Sequence, residues 1–174
     1  LHRYMPNAGL VDVREAIAES LSPDCKVKLL AKDVVMVCGA AGGLNITLKT
    51  LLDPGDEVII FTPYFVEYLF YVDNHGGRAV GVPTLDNFHL DFDALKSALN
   101  EKTKAVIINS PNNPTGVVYL PKELQVLADI LKAHSDKANK TVYLISDDPY
   151  KKITFDGVEA PNIMKFYLNS IYIT

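Results

Sequence analysis

The stretch Thr103–Ser146, with the sequence TKAVIINSPNNPTGVVYLPKELQVLADILKAHSDKANKTVYLIS, decides the fold. It begins with Thr103–Asn109, an apolar run rich in β-branched residues that predicts a buried strand. In Pro121–His134 the apolar residues recur on one face of a helix. Thr141–Ser146 is a second apolar run of strand length. A strand, a helix and a strand in this order predict a parallel pair joined by a helical crossover.

The same alternation continues on both sides of this stretch. Four more strands are predicted at Val34–Cys38, Glu57–Phe61, Arg78–Val82 and Ser170–Thr174. Four more helices are predicted at Val13–Leu21, Leu44–Leu52, Tyr64–Asn74 and Asp91–Leu99. We therefore expect a three-layer α/β/α domain with a mostly parallel, six-stranded sheet. Such sheets bind ligands beyond the carboxyl ends of their strands.

Composition narrows the functional classes. The chain has 174 residues, of which 48% are hydrophobic and 22% charged, as in one soluble globular domain. Its formal charge of −4 argues against a nucleic-acid partner, and no apolar run is long enough to cross a membrane. Cys25 and Cys38 lack metal or redox spacing, and the four histidines are scattered, so we expect no metal site. Free thiols suit a cytoplasmic protein.

A small-residue turn, Gly39–Gly43, separates the predicted strand Val34–Cys38 from the following helix. Free backbone amides at a helix N-terminus attract anions, and small side chains let a phosphate approach. The same turn is also compatible with tight packing alone. The spacing is not that of a dinucleotide-binding loop or of a P-loop, so a single phosphate fits better.

Aromatic and acidic side chains follow two other predicted strands. Tyr64 and Phe65 come after the second strand, where an aromatic ring either stacks on a flat ligand or joins the core. Asp147 follows Thr141–Ser146, and Tyr150 lies a few residues further on. A carboxylate at the edge of a buried region needs a hydrogen-bonding or positive partner. We interpret Asp147 either as the cap of a turn or as the partner of a protonated ring nitrogen.

The loop Ser110–Gly116 supplies the remaining polar groups. Its two prolines stiffen the backbone around Asn112 and Asn113, although asparagine in turns often bonds only its own backbone. A phosphate cradle, a stacking ring, an amide, a carboxylate and a phenol together fit a phosphorylated, protonated aromatic ring. Pyridoxal 5'-phosphate is such a molecule.

Three motifs in order along the chain resemble those of a known family. Ser110–Gly116 contains an N-P-T-G loop, and Ser146–Tyr150 is similar to an S-D-E-x-Y segment. Tyr4–Arg14 resembles a Y-x-x-x-x-G-x-x-x-L-R motif, with Val13 in place of leucine. The chain thus resembles the large domain of the fold type I, class I and II aminotransferases, the group of aspartate aminotransferase, which depend on pyridoxal phosphate.

The resemblance implies a role for each residue that matches a motif. The phosphate would be held by backbone amides, and the ring would be stacked, hydrogen-bonded and paired at its nitrogen. Tyr4 would reach the phosphate of the other subunit, which implies a homodimer. The backbone amides implied at the phosphate are those of Ala40, Ala41 and Gly42, and the implied stacking ring is Phe65, with Tyr64 as the alternative. The residues implied at the phenolic oxygen are Asn113 and Tyr150, and the residue implied at the ring nitrogen is Asp147.

The resemblance also implies parts that the 174 residues do not contain. The Schiff-base lysine would lie just beyond Thr174, and Lys151, Lys152 and Lys165 do not match its motif. We therefore expect one large-domain fragment, without the N-terminal segment, the lysine region and the small domain. No catalytic residue is expected within it, and the isolated fragment should be inactive.

The implied reaction of the parent enzyme is transfer of an amino group from an amino acid to a 2-oxo acid, in amino-acid metabolism or biosynthesis. Three alternatives stay open. The first is a C–S lyase on the same scaffold, the second a non-catalytic cofactor-sensing domain of a transcription regulator. The third is an α/β domain that binds no cofactor.

Overall fold

The computed structural model describes residues 4–174 and contains a sheet of five strands in the order β2-β1-β3-β4-β5. Each neighbouring pair is parallel. The strands are β1 Glu57–Thr62, β2 Arg78–Pro83, β3 Thr103–Asn109, β4 Tyr143–Asp147 and β5 Ser170–Ile173. The prediction of an α/β fold with a parallel sheet is confirmed.

Helices cover both faces of this sheet, and alternation along the strands explains why. Ile59 and Phe61 of β1 belong to the apolar cluster under α4 and α5, whereas Val58 and Ile60 belong to the cluster under α2 and α3. Burying such a side chain contributes roughly 1.5–3 kcal/mol. The helices are α1 Val11–Leu21, α2 Gly39–Leu51, α3 Glu67–Asp73, α4 Phe92–Ala98 and α5 Pro121–Ala138.

The predicted strand at Val34–Cys38 is wrong. Val34 has extended backbone angles, φ −117° and ψ 132°, but the segment joins no ladder of the described sheet. The N–H of Met36 donates instead to the carbonyl of Ala8, at 3.0 Å. A β-branched run favours extended backbone, but a strand also needs a neighbouring backbone in register, which sequence periodicity does not supply.

Helix α2 begins at Gly39, well before the predicted start at Leu44, so the small-residue turn is the first turn of the helix itself. Helix α3 begins at Glu67, after the predicted start at Tyr64. Across residues 4–174, none of the helices has the length and apolar character that a membrane crossing requires.

Candidate functional site

The carboxyl ends of β1, β3 and β4 meet at one edge of the sheet. Asn109, the last residue of β3, is in register with Asp147, the last residue of β4. Asp147 is in turn in register with Ile173 of β5. The segments carrying Phe65 and Asn113 leave the sheet at this same edge. Asn113 and Tyr150 line one cavity, whose lining does not include Phe65 or Asp147.

Asp147 is the buried acid of this edge, with 6% of its surface exposed. The hydroxyl of Tyr68 donates to its Oδ2 at 2.7 Å. Its Oδ1 is also buried and has no hydrogen-bond partner within residues 4–174. Burial raises the pKa of the Asp147 carboxyl, and the Tyr68 hydrogen bond offsets only part of that rise. A buried acceptor without a donor fits a ligand that brings its own N–H.

The predicted stacking residue lies beside this acid. Phe65 is half-buried, and its ring meets that of Tyr68 edge to face, with centroids 5.8 Å apart and planes at 83°. Tyr68 thus contacts both the Phe65 ring and the Asp147 carboxylate. Tyr64, the alternative, packs against the same apolar cluster under α2 and α3. An aromatic side chain next to a carboxylate suits a flat, cationic ring.

The two asparagines of the loop have different roles. Oδ1 of Asn112 accepts from the N–H of Thr115 at 3.2 Å and from its hydroxyl at 2.8 Å, so this side chain stabilises the loop. The side chain of Asn113 forms no hydrogen bond within the described part of the chain. Asn113 and Tyr150 line one cavity of about 750 Å³. The structure therefore leaves the Asn113 amide free to reach a ligand.

The first turn of α2 exposes the amides of the predicted phosphate cradle. Cys38 precedes the helix without a side-chain cap, so the amides of Gly39, Ala40 and Ala41 have no helical acceptor. Gly39 has φ +70°, a left-handed conformation that favours glycine. The N–H of Gly42 is the first that reaches a carbonyl within the helix, so Ala40 and Ala41 are better placed to bind an anion.

A close packing contact holds this turn over the edge of the sheet. A Cβ atom at Gly43 would lie 2.9 Å from Cγ2 of Ile173, which is closer than ordinary van der Waals contact allows. Only glycine lets α2 approach the end of β5 so closely. Since Ile173 neighbours Asp147 in the sheet, the first turn of α2 lies beside the strand end that carries this carboxylate.

The N-terminal motif has a structural half and an exposed half. Nε of Arg14 donates to the carbonyl of Gly9 at 3.2 Å, and its Nη1 donates to the carbonyl of Ala31 at 2.8 Å. Arg14 thus links the segment around Gly9 to the turn at Ala31, which precedes Val34. Tyr4, in contrast, is fully exposed and does not fold back onto the phosphate turn of its own chain.

Sequence reasoning missed three buried polar residues at this edge: Tyr68, Asn109 and Asp148. Tyr68 lies about one helical turn after Phe65, and Asn109 is a polar residue ending an apolar run. The sequence could have indicated Tyr68 and Asn109 from these two positions. Asp148 is 1% exposed and accepts from the Ser146 hydroxyl at 2.8 Å. Burial raises the pKa of Asp148 to about 7.

The sequence matches the family described as "Aminotransferase class I and II" over residues 1–170. Members of that family depend on pyridoxal phosphate. An aspartate aminotransferase of Bacillus subtilis (strain 168) is 37% identical over 163 residues, covering 92% of this chain and 40% of the relative. An aspartate aminotransferase of Pyrococcus abyssi is 40% identical over 166 residues, covering 94% and 41%.

Solved structures show the same fold. An amino transferase from Eubacterium rectale is 39% identical and superposes with a TM-score of 0.94, covering 98% of this chain and 44% of the other. For a Thermus thermophilus aspartate aminotransferase variant the values are 33% identity, a TM-score of 0.89, and coverage of 98% and 46%. The chain thus spans about two fifths of the length of the curated relatives it matches.

Proposed function

The chain belongs to the class I and II aminotransferases, and we propose that it supplies much of the cofactor pocket of a pyridoxal-phosphate-dependent aminotransferase. The longer enzyme would transfer an amino group from an amino acid to a 2-oxo acid. The observation that carries this proposal is the buried, unpartnered Oδ1 of Asp147, which lies at the same sheet edge as the free amides of α2.

Each group of the cofactor has a matching residue at this edge. The amides of Ala40 and Ala41 suit the phosphate, and Oδ1 of Asp147 suits the N–H of a protonated ring. The remaining contacts are the ring face and the phenolic oxygen, which we assign to Phe65 and to Asn113 with Tyr150. Each of these four parts of the ligand is therefore assigned at least one residue.

The protein's own groups explain how this site favours amino-acid chemistry. When bound, the cofactor supplies an electron-withdrawing ring that stabilises a carbanion at the amino acid's α-carbon. Asp147 holds a proton at the ring nitrogen, because a carboxylate in a buried site strongly favours a cation beside it. The Tyr68 hydroxyl holds the other carboxylate oxygen, so Oδ1 stays directed at the ligand.

We assign the covalent lysine to the longer protein rather than to this chain. Nζ of Lys151 lies 5.4 Å from the centroid of the Tyr172 ring. Tyr172 packs against the cluster under α4 and α5, on the opposite face of the sheet from Phe65. Lys151 is thus an unsuitable candidate, and the 174-residue chain alone should bind cofactor without steady amino transfer.

The proposal includes a cytoplasmic homodimer. Tyr4 is fully exposed, which leaves its hydroxyl available to a second subunit, as the family resemblance implies. Cys25 and Cys38 are both free thiols, which suits a reducing compartment.

Equilibrium binding of pyridoxal phosphate to the chain tests the proposal. We expect saturable binding that weakens roughly 10- to 100-fold in Asp147→Ala, because a hydrogen bond to a buried charge contributes about 1.5–3 kcal/mol. The matched control is Glu57→Gln, which alters a buried carboxylate at the opposite edge of the sheet and should leave the affinity unchanged. Equal affinities of the wild type and Asp147→Ala would contradict the proposal.

A further inference from the structure

We propose that Asn109 is a positioning residue that fixes the spacing between the two ring contacts, Asp147 and Asn113. The inference rests on the cofactor function proposed above and extends it to a residue that need not touch the ligand. In this proposal the buried side-chain amide of Asn109 holds the Asn113 loop and the end of β4 at a fixed separation.

Asn109 joins these two segments directly. Its side-chain Nδ2 donates to the backbone carbonyl of Asp147 at 2.5 Å. Its Oδ1 accepts from the backbone N–H of Asn113 at 2.6 Å. The residue is 3% exposed, so water does not compete well for these bonds.

The position of Asn109 in the sheet explains why one side chain reaches both partners. Asn109 and Asp147 are the last residues of adjacent parallel strands and are in register. Beyond this point the ladder ends, and the carbonyl of Asp147 needs a donor from elsewhere. Because the amide group is planar and short, it ties the loop to β4 at a nearly fixed distance.

This distance matters because the proposed ligand is a rigid ring. Asp147 would bind its nitrogen and Asn113 its phenolic oxygen, so a shift of either segment weakens one of the two contacts. The Asn113 side chain forms no hydrogen bond within residues 4–174. Its placement therefore depends on the Asn113 backbone, which Asn109 holds. Sites of this kind need supporting hydrogen bonds to hold contact groups within about 0.5 Å.

A purely structural role makes a different prediction. If Asn109 only stabilises the strand ends, its loss lowers stability and weakens every ligand by the same factor. If Asn109 sets the spacing between Asp147 and Asn113, its loss selectively lowers the part of the binding affinity that comes from the ligand's phenolic oxygen. The two roles are separated by comparing pyridoxal phosphate with 3-deoxypyridoxal phosphate, which lacks the phenolic hydroxyl.

The experiment measures equilibrium dissociation constants of both ligands for the wild-type chain, Asn109→Ala and Ser110→Ala. We expect the wild type to bind pyridoxal phosphate roughly 10-fold more tightly than the deoxy compound. In Asn109→Ala this ratio should fall below about threefold. Ser110→Ala is the matched control, because Ser110 is buried and its Oγ accepts from the N–H of Tyr119, yet this side chain forms no hydrogen bond with Asp147 or Asn113 in the described chain. It should keep the wild-type ratio.

Circular dichroism and urea unfolding establish that each variant is folded. If Asn109→Ala does not fold, Asn109→Leu replaces it, because leucine keeps the size of the side chain but can neither donate to the Asp147 carbonyl nor accept from the Asn113 N–H. Its ratio should also fall below that of the wild type. An unchanged ratio in the folded Asn109 variant would overturn the inference and leave the proposed function intact. A wild-type chain that does not distinguish the two ligands would overturn the proposed contact at the phenolic oxygen and this inference with it.

Discussion

Glu57 at the amino end of β1 and Asp147 at the carboxyl end of β4 are both buried carboxylates, with 3% and 6% of their surface exposed. Both oxygens of Glu57 are bonded. Oε1 lies 2.5 Å from Nη2 of Arg78, and Oε2 accepts from Nδ2 of Asn100 at 2.8 Å. Asp147 has one bonded oxygen and one that is free of partners in the described chain.

The electrostatics of the two carboxyls differ accordingly. Burial alone would raise the pKa of Glu57, but the hydrogen bonds from Asn100 and Arg78 and the guanidinium charge outweigh it and lower the pKa. At Asp147 the burial effect prevails and the pKa is raised. A buried charge with incomplete pairing lowers stability. The contrast teaches that Glu57 is paired as a structural group, whereas Asp147 keeps an acceptor open, which is what the proposed ligand site requires.

The largest expected effect is a pH dependence of stability that arises at the carboxyl edge. Asp148 has its pKa raised from 3.8 to about 7 in the folded protein. A raised folded-state pKa stabilises the protein fully below the unfolded value, and the stabilisation is lost as the pH rises through the folded value. Unfolding in urea should therefore show stability falling by a few kcal/mol between pH 4 and pH 8.

Asp148→Asn is the variant that isolates this slope. Asparagine keeps an oxygen for the Ser146 hydroxyl but does not titrate, so the stability of the variant should fall less over the same range. The slope that remains has the same sign and comes from Asp147, whose pKa is also raised. Glu57, whose pKa is lowered, contributes with the opposite sign near its ordinary value of 4.5 and adds no slope at higher pH. Identical slopes in the wild type and Asp148→Asn would contradict the assignment.

The next effect compares the two acids directly. Glu57→Gln should lower the free energy of unfolding by roughly 1–2 kcal/mol, since it loses charge-assisted bonds of which one partner, Arg78, is largely exposed. Asp147→Asn should lower it by less or raise it, because it removes a poorly paired buried charge. Urea midpoints at neutral pH check this order, and a larger loss in Asp147→Asn would reverse the interpretation of the two edges.

The smallest predicted effect concerns Tyr68, the only hydrogen-bond partner of the Asp147 carboxylate within residues 4–174. Tyr68→Phe removes the hydroxyl that donates to Oδ2 but keeps the ring that contacts Phe65. The pyridoxal phosphate dissociation constant should rise roughly 3- to 10-fold, because the carboxylate loses its fixed orientation. Tyr71→Phe is the control, since the Tyr71 hydroxyl bonds to Glu67 on the same helix. Unchanged affinity in Tyr68→Phe would show that Tyr68 does not position the acid.

Local patterns were sufficient for much of the fold and for several candidate residues. The β-branched runs predicted all five observed strands, and the helix predicted at Pro121–His134 is observed as Pro121–Ala138. Asp147, Asn113 and the turn at Gly39 were identifiable because each lies at the end of a predicted element. The rule that parallel sheets bind ligands at this edge then groups them.

Other features depended on contacts distant in sequence. Val34–Cys38 has the composition of a strand but no backbone partner in the described structure, and pairing is a property of two segments.

By itself, the sequence determined which segments alternate between strand and helix, where the backbone turns and which strands end in polar groups. These features follow from side-chain chemistry and local sterics. Only the tertiary structure decided that the Asn112 side chain accepts hydrogen bonds from Thr115 within its loop, whereas the Asn113 side chain forms none in the described chain. It also decided that Glu57 is fully paired whereas Asp147 keeps an open oxygen. The physical reason is that hydrogen-bond pairing and burial depend on neighbours that packing supplies.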